Sequence, residues 1–224
     1  MSMLNNKIKM IVCDMAGTII NEKRIIYKTI FNTLQQMGIN NIKASEMNKW
    51  HGRDKSEVLA SYLHNIEHIK EGEKLLVKRL DDEYFGKEQV ELIDSRLFDV
   101  FDKLRSNDIK VCLNTGYPER FQKKIIKHFN LNEHVDDYIS SEEVLYGRPY
   151  PFMIHRLMER NTILCSKQVI KIGDTVNDIK EGKNAKCGVT IGVLTGADSN
   201  EQLANAGADI VLNKIVDIEN ISII

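Results

Sequence analysis

Residues 11–20 read IVCDMAGTII: an apolar, β-branched run that ends in a carboxylate, Asp14, and passes directly into an Ala-Gly-Thr turn. Such a run has the composition of a strand covered on both faces, as in a parallel sheet. Four later runs share it: KVCLNT from Lys110, QVIKIGD from Gln168, GVTIGV from Gly188 and ADIVL from Ala208. Amphipathic stretches lie between them, among them SRLFDVFDKLRSND from Ser95, PERFQKKIIKHFN from Pro118, YPFMIHRLMERN from Tyr150 and NDIKEGKNAK from Asn177, with apolar residues at helical spacing. Strand and helix in alternation predict an α/β fold with a Rossmann-like, doubly wound parallel sheet.

One stretch breaks the alternation. Residues 21–92 carry no convincing strand, only helix-like, charge-rich sequence such as YKTIFNTLQQMG from Tyr27 and DKSEVLASYLHNIEHIKEGEKLLVKRLDDEYF from Asp54. The reading is an inserted all-helical cap domain over residues 21–92 and a core domain made of residues 1–20 and 93–224. Ligands of open α/β sheets bind outside the carboxyl ends of the strands, so an insert after the first strand is placed to act as a lid.

The chain has 224 residues, 42% of them hydrophobic and 28% charged, as in ordinary globular proteins. With 31 basic against 32 acidic residues it has no electrostatic footprint for nucleic acid, which points to a small-molecule partner. The opening MSMLNNKIKM has no apolar core of a leader, and no apolar run has the length of a membrane span, so neither export nor membrane insertion is expected. Cys13, Cys112, Cys165 and Cys187 lack the spacing of a zinc site or a disulfide framework; most lie in apolar runs, where a thiol packs as a small hydrophobe. A reducing cytoplasm and a monomer or homodimer are expected.

The predicted strands end in polar residues: Asp14 ends the first, Thr115 and Gly116 end KVCLNTG, and Asp174 and Thr175 end VIKIGDT with Asp178 one helical turn later. Gly147-Arg148-Pro149 precedes a predicted helix near Tyr150. A parallel sheet collects such ends at one edge. A carboxylate there can attack phosphorus and split one displacement into two. Oxygen-only ligands would favour Mg²⁺ to offset repulsion between that carboxylate and an anionic substrate. The Thr115 hydroxyl, the Gly116 amide and the permanently charged Arg148 suit the phosphoryl oxygens.

In order and spacing, DMAGT, LNTG, GRP and GDTVND resemble the four motifs of the haloacid dehalogenase (HAD) superfamily, with a helical insert after the first. The resemblance implies that Asp14 is nucleophile and metal ligand, that the Ala16 carbonyl and Asp174 are further ligands, and that Asp178 holds the metal's waters. It makes Thr115 and Arg148 phosphate binders. Most phosphatases of the superfamily have an aspartate where this chain has Ala16, to protonate the leaving alcohol and later activate water. Such help is typically worth about 10²–10⁴ in rate, and alanine supplies none.

The phosphonatase branch shares that alanine. Asp14-Met15-Ala16-Gly17-Thr18, Thr115-Gly116-Tyr117 and Gly147-Arg148-Pro149-Tyr150-Pro151-Phe152-Met153 resemble its Asp-x-Ala-Gly-Thr, Thr-Gly-Tyr and Gly-Arg-Pro-x-Pro-(Trp or Phe)-Met. In those enzymes a cap lysine condenses with the substrate aldehyde, and carbon leaves phosphorus as an enamine. The matching lysine is Lys55, three residues after Gly52 in His51-Gly52-Arg53-Asp54-Lys55. Burial or a cationic neighbour such as Arg53 would have to lower its pKa. The chain departs from phosphonatases where His51 replaces a methionine, Val58 a histidine, and Arg24 stands near the usual cysteine, so it is closer to phosphonatase-like hydrolases.

Each residue has a plainer account: Asp14 as a strand-end cap, Lys55 as a solvated charge, Arg148 as a partner of Glu142 or Glu143, Cys13 as packing, and Trp50, Tyr62 and Tyr84 as core. His64-Asn65-Ile66-Glu67-His68 formally matches an inverted zinc-protease signature, but in a charge-rich helix with no third ligand evident. The leading expectation is a Mg²⁺-dependent hydrolase of small organophosphorus compounds, cleaving the C–P bond of phosphonoacetaldehyde or a similar carbonyl phosphonate. Its rival is a phosphate monoesterase of the phosphoglycolate or sugar-phosphate type, with the missing acid supplied by His51 or water. A third reading is a binding module that has lost turnover. Catalysis falls to Asp14, Lys55, Thr115 and Arg148, substrate contact to Ala16, Gly17, His51, Gly52, Gly116 and Tyr117, and metal binding to Asp14, Ala16, Asp174 and Asp178.

Overall fold

The computed structural model of the chain describes residues 7–87 and 90–221. Parts of both predicted domains, residues 1–6, 88–89 and 222–224, lie outside these. In chain order the regular elements begin with β1 (Met10–Asp14), β2 (Ile20–Asn21), α1 (Ile25–Gln36), α2 (Lys55–Ala60), α3 (Ile66–Asp82) and β3 (Glu91–Leu92). There follow α4 (Leu97–Ser106), β4 (Lys110–Thr115), α5 (Glu119–His128), β5 (Asp137–Ser140), α6 (Phe152–Arg160) and β6 (Val169–Gly173). The chain closes with α7 (Val176–Asn184), β7 (Val189–Val193), α8 (Asn200–Asn205) and β8 (Ile210–Leu212).

Six strands form one sheet in the order β5-β4-β1-β6-β7-β8, every neighbouring pair parallel. Strand order thus reverses between β1 and β6, which makes their carboxyl ends the topological switch point where such folds bind ligands. Both strands are buried along their whole length. Residues of β1 alternate between two apolar layers: Met10 and Val12 pack with Ile154 and Leu157 of α6, while Ile11 and Cys13 face the larger cluster. That larger cluster continues into α1, α2 and α3 through Ile26, Ile30, Leu59, Leu76 and Leu80.

All five strands read from the sequence are present. Two features differ from that reading. The sequence showed no strand at β5, a four-residue edge strand that opens on Asp137 and Tyr138. The predicted insert is also not purely helical, because β2 and β3 pair antiparallel, Ile20 with Leu92 and Asn21 with Glu91. Two-residue strands leave no periodicity to read. They tie together the two chain passages that bracket α1 to α3, reinforced by Ile93 N–H donating to Ile19 O at 2.9 Å.

The four cysteines are free, and Cys13, Cys112 and Cys187 are buried. Burial pushes the Cys13 thiol up to about 12, so packing rather than nucleophilic chemistry describes it. Among the described residues no helix is long and apolar enough to cross a membrane.

Candidate active site

Asp14 closes β1, and Asp174 follows the last residue of β6, so the switch point places two carboxylates side by side. Asp178 joins them from the first turn of α7, whose start is set by a reciprocal cap. The Thr175 hydroxyl accepts from Asp178 N–H at 3.3 Å, and the Asp178 carboxylate accepts from Thr175 N–H at 3.2 Å. Oxygens of Asp14, Asp174 and Asp178 all lie within 4.8 Å of one another, and all three residues are buried.

Two buried cations answer them. Arg148 Nη1 stands 2.7 Å from Asp14 Oδ1 and 2.7 Å from Asp178 Oδ1. Lys171 Nζ lies 2.8 Å from Asp178 Oδ1 and 3.1 Å from Glu181 Oε2. Lys171 also donates to Asn114 Oδ1 at 2.6 Å, and the Asn114 amide donates to both Glu181 oxygens, at 2.9 and 3.0 Å. Arg148 therefore does not pair with Glu142 or Glu143, the plainer account of it; Glu143 instead accepts from Arg160. Lys171, Glu181 and Asn114 form a support that the sequence did not reveal, because they lie within strand- and helix-like runs.

Four buried carboxylates against two cations leave uncompensated negative charge. Burial and then the Asp14 and Asp178 charges hold Asp174 well above the usual carboxylate range. Burial raises Asp14 as well, against the pull of Arg148. Burial acts on Asp178 too, but Arg148 and Lys171 outweigh it and keep Asp178 low and ionised. Hard oxygen donors, close spacing and surplus negative charge fit a divalent cation, so this cluster can hold a metal ion.

A pocket opens above the cluster. Of the residues singled out in the sequence, Asp14, Ala16, Gly52, Lys55, Thr115, Gly116, Tyr117, Arg148 and Asp174 line it. Lys55 is the first residue of α2, whose cap is Asp54: Oδ1 accepts from Glu57 N–H at 2.9 Å, and the other oxygen accepts from the Ser141 hydroxyl. Its backbone N–H reaches Gly116 O at 3.3 Å, and Nζ donates to Arg53 O at 2.8 Å between the rings of Tyr27 and Tyr117. Lys55 is only 5% exposed. Burial first, and then the Arg148 charge, bring the amine down to about 8. The expected Arg53 charge does not do this, because its guanidinium turns away to pair with Glu57.

Three predicted residues stand elsewhere than in the pocket wall. Asp178 lies beneath it, in the carboxylate cluster. Gly17 has φ +81°, and a Cβ there would come within 2.6 Å of Asp174 Oδ2, so its part is to let the turn pass close to that carboxylate. His51 is a correction to the expected substrate contact: its Nδ1 lies 2.9 Å from Asp198 Oδ1, and Asn177 donates to its backbone oxygen at 2.6 Å. The imidazole packs against the ring of Tyr27, with centroids 4.6 Å apart, and Tyr27 rather than His51 lines the pocket. The sequence missed Tyr27 and Glu22 among the lining residues, whereas Thr175, read with Asp174 at the end of its strand, does line the pocket. The zinc reading also fails, because α3 begins at Ile66 after its cap Asn65, leaving His64 outside the helix that carries His68.

A profile of haloacid dehalogenase-like hydrolases matches residues 11–192. A phosphonoacetaldehyde hydrolase of Bacillus thuringiensis (strain Al Hakam) is 32% identical over 127 residues, which cover 54% of this chain and 48% of that protein. The chain thus matches about half the length of the curated relatives. Among solved structures, a phosphonoacetaldehyde hydrolase-like protein from Oleispira antarctica superposes with a TM-score of 0.78 at 23% identity, covering 96% of this chain and 91% of that one. A predicted phosphoglycolate phosphatase from Haemophilus somnus gives 0.77 at 17% identity, covering 96% and 97%. At these identities the structural matches speak for the fold.

Proposed function

Because the chain belongs to the haloacid dehalogenase-like hydrolase family, we propose that it hydrolyses a small carbonyl phosphonate, of the phosphonoacetaldehyde type, through a phospho-enzyme on Asp14. One observation carries the reading. Position 16 offers no acid, and the pocket that holds Asp14 and Arg148 also holds a buried amine, Lys55, brought down toward neutrality. The half-length match to phosphonoacetaldehyde hydrolases supports it.

In this reading Lys55 fixes one end of the substrate and the switch-point residues fix the other. The amine condenses with the aldehyde to give an iminium. Asp14 attacks phosphorus, the P–C bond breaks, and its electron pair flows into the iminium to leave an enamine. That electron sink replaces the proton that an alkoxide would need. Thr115 and Arg148 bind the phosphoryl oxygens, and Arg148 also pulls Asp14 toward its ionised form, against the burial that raises it. Asp14, Asp174 and Asp178, with the Ala16 carbonyl, would hold Mg²⁺, which supplies charge neutralisation at the phosphoryl group. Helices α1 to α3 serve as the cap that brings Lys55 to the core. The free thiols accord with a reducing cytoplasm.

A second reading, a phosphate monoesterase, draws on one specific observation: the pocket does contain another carboxyl, Glu22. Borohydride trapping with phosphonoacetaldehyde separates the two. The expected result is a stable adduct on Lys55 in wild type and in Asp14→Asn, with phosphate release only in wild type. Absence of the Lys55 adduct, with steady phosphate release from a monoester, rejects the phosphonate reading.

A further inference from the structure

Glu22 lines the same pocket as Asp14 and Lys55, is 7% exposed, and has no place in the phosphonate chemistry set out above. It sits between β2 and α1, where Oε2 accepts from Ile26 N–H at 2.9 Å, so the start of α1 fixes its direction. The Tyr84 hydroxyl donates to the same oxygen at 3.4 Å, and that hydroxyl is in turn hydrogen-bonded to Tyr117. We propose that Glu22 is the proton carrier for Lys55, taking the ammonium proton before the amine attacks and returning it to the hydroxyl that must leave when the iminium forms. The inference deepens the proposed function and rests on it.

The step balances. Lys55 ammonium gives a proton to the Glu22 carboxylate. The free amine adds to the carbonyl carbon, and its own N–H proton passes to the oxygen. Glu22 then protonates that hydroxyl, the C–O bond breaks with its electrons leaving on water, and an iminium and an ionised Glu22 remain.

The surroundings suit the exchange. Burial pushes Glu22 up to about 7, against the Ile26 N–H and the Lys55 charge, while Lys55 is at about 8. Groups with such close affinities pass a proton in either direction with little difference in free energy. The charged and titratable groups coupled to Glu22 through their charges are Lys55 from α2, Tyr27 from α1, Tyr84 just after α3, Tyr117 after β4, and Asp174 after β6, of which Tyr84 also hydrogen-bonds to it. Burial holds the three tyrosines neutral, well above their ordinary value. Asp174 belongs to the carboxylate cluster that would hold the metal, so within this set Glu22 is the carboxyl left to trade protons with the amine near neutral pH.

The test is the rate at which borohydride captures the Lys55 adduct with phosphonoacetaldehyde, followed from pH 5.5 to 9.5. Wild type should give a bell, since the productive form of the Glu22–Lys55 pair carries one proton. Glu22→Gln should slow capture by about 10²-fold and turn the bell into a monotonic rise with pH. Tyr84→Phe keeps the carboxyl but removes a hydrogen bond to its ionised form, so the acid limb should move to higher pH. A merely structural role would change the yield of folded protein or KM but leave the bell. Capture in Glu22→Gln at the wild-type rate and with the wild-type bell, or an acid limb unmoved in Tyr84→Phe, overturns this inference while leaving the proposed function standing. A wild type that captures nothing at Lys55 overturns both.

Discussion

Ala16 and Glu22 bracket the turn after β1 and face one pocket, the first lacking a carboxyl and the second supplying one under heavy burial. The cost of that burial can be measured without any catalysis. Glu22 stands at about 7 in the folded chain against an ordinary 4.5, so the folded state binds its proton more tightly than the unfolded state. The corresponding stability is complete below pH 4.5 and is lost as pH rises through 7. Glu22→Gln removes this dependence. Relative to wild type it should gain about 3 kcal/mol between pH 4 and pH 8, at about 1.4 kcal/mol per pH unit. Urea unfolding of both proteins at the two pH values reads it, and parallel stability curves reject the burial argument. Sequence alone exposed Asp14, Thr115, Asp174 and Asp178 because each stands at or just past the end of an apolar run. Glu22 escaped notice because Glu22-Lys23-Arg24 looks like any solvated polar turn. Its environment comes from Tyr84, 62 residues away.

At the level of elements, the segment from His51 to Asp54 joins the helices that follow β2 to the loops at the carboxyl edge of the sheet. His51 reaches Asp198 and Asn177, Asp54 reaches Ser141, and Gly52 N–H donates to the Tyr27 hydroxyl at 2.8 Å. Gly52 has φ +72°, and a Cβ there would run into the Thr175 hydroxyl that caps α7. Gly52→Ala therefore strains the backbone and pushes the segment off the core at the same point. We expect kcat/KM to fall by about 10–100-fold, since displacement of a positioning segment by about 1 Å is that costly. The melting temperature should fall by only a few degrees, as about 1–2 kcal/mol of strain implies for a chain of this size with its apolar clusters untouched; steady-state kinetics beside a thermal melt decides, and unchanged kcat/KM rejects the account. The alternating core was legible from its continuous β-branched runs. The β2–β3 pair was not, because pairing of two residues each depends on where distant chain passages meet rather than on local pattern.

Across the whole molecule, folding gathers Asp14, Asp174, Asp178 and Glu181 around Arg148 and Lys171, and the sheet's topology forces carboxylates distant in sequence into one buried cluster. Burial and then mutual repulsion raise Asp14 and Asp174, and both work against the fold wherever no cation intervenes. A divalent cation that binds the folded cluster and not the unfolded chain must therefore raise stability. At one hundred times its Kd the gain is about 2.7 kcal/mol. For a chain of this size that corresponds to a rise of about 5–10 °C in Tm. Protons compete for the same oxygens, so the rise should be larger at pH 8 than at pH 6. Asp174→Asn should reduce the rise sharply while melting no lower than wild type without metal, since it removes one member of a like-charged set. Thermal melts with and without Mg²⁺ at both pH values test this. A Mg²⁺ effect that is absent in wild type, or equal in Asp174→Asn, would mean that the cluster is not a metal site, and the Asp14 chemistry would then lack its charge compensation.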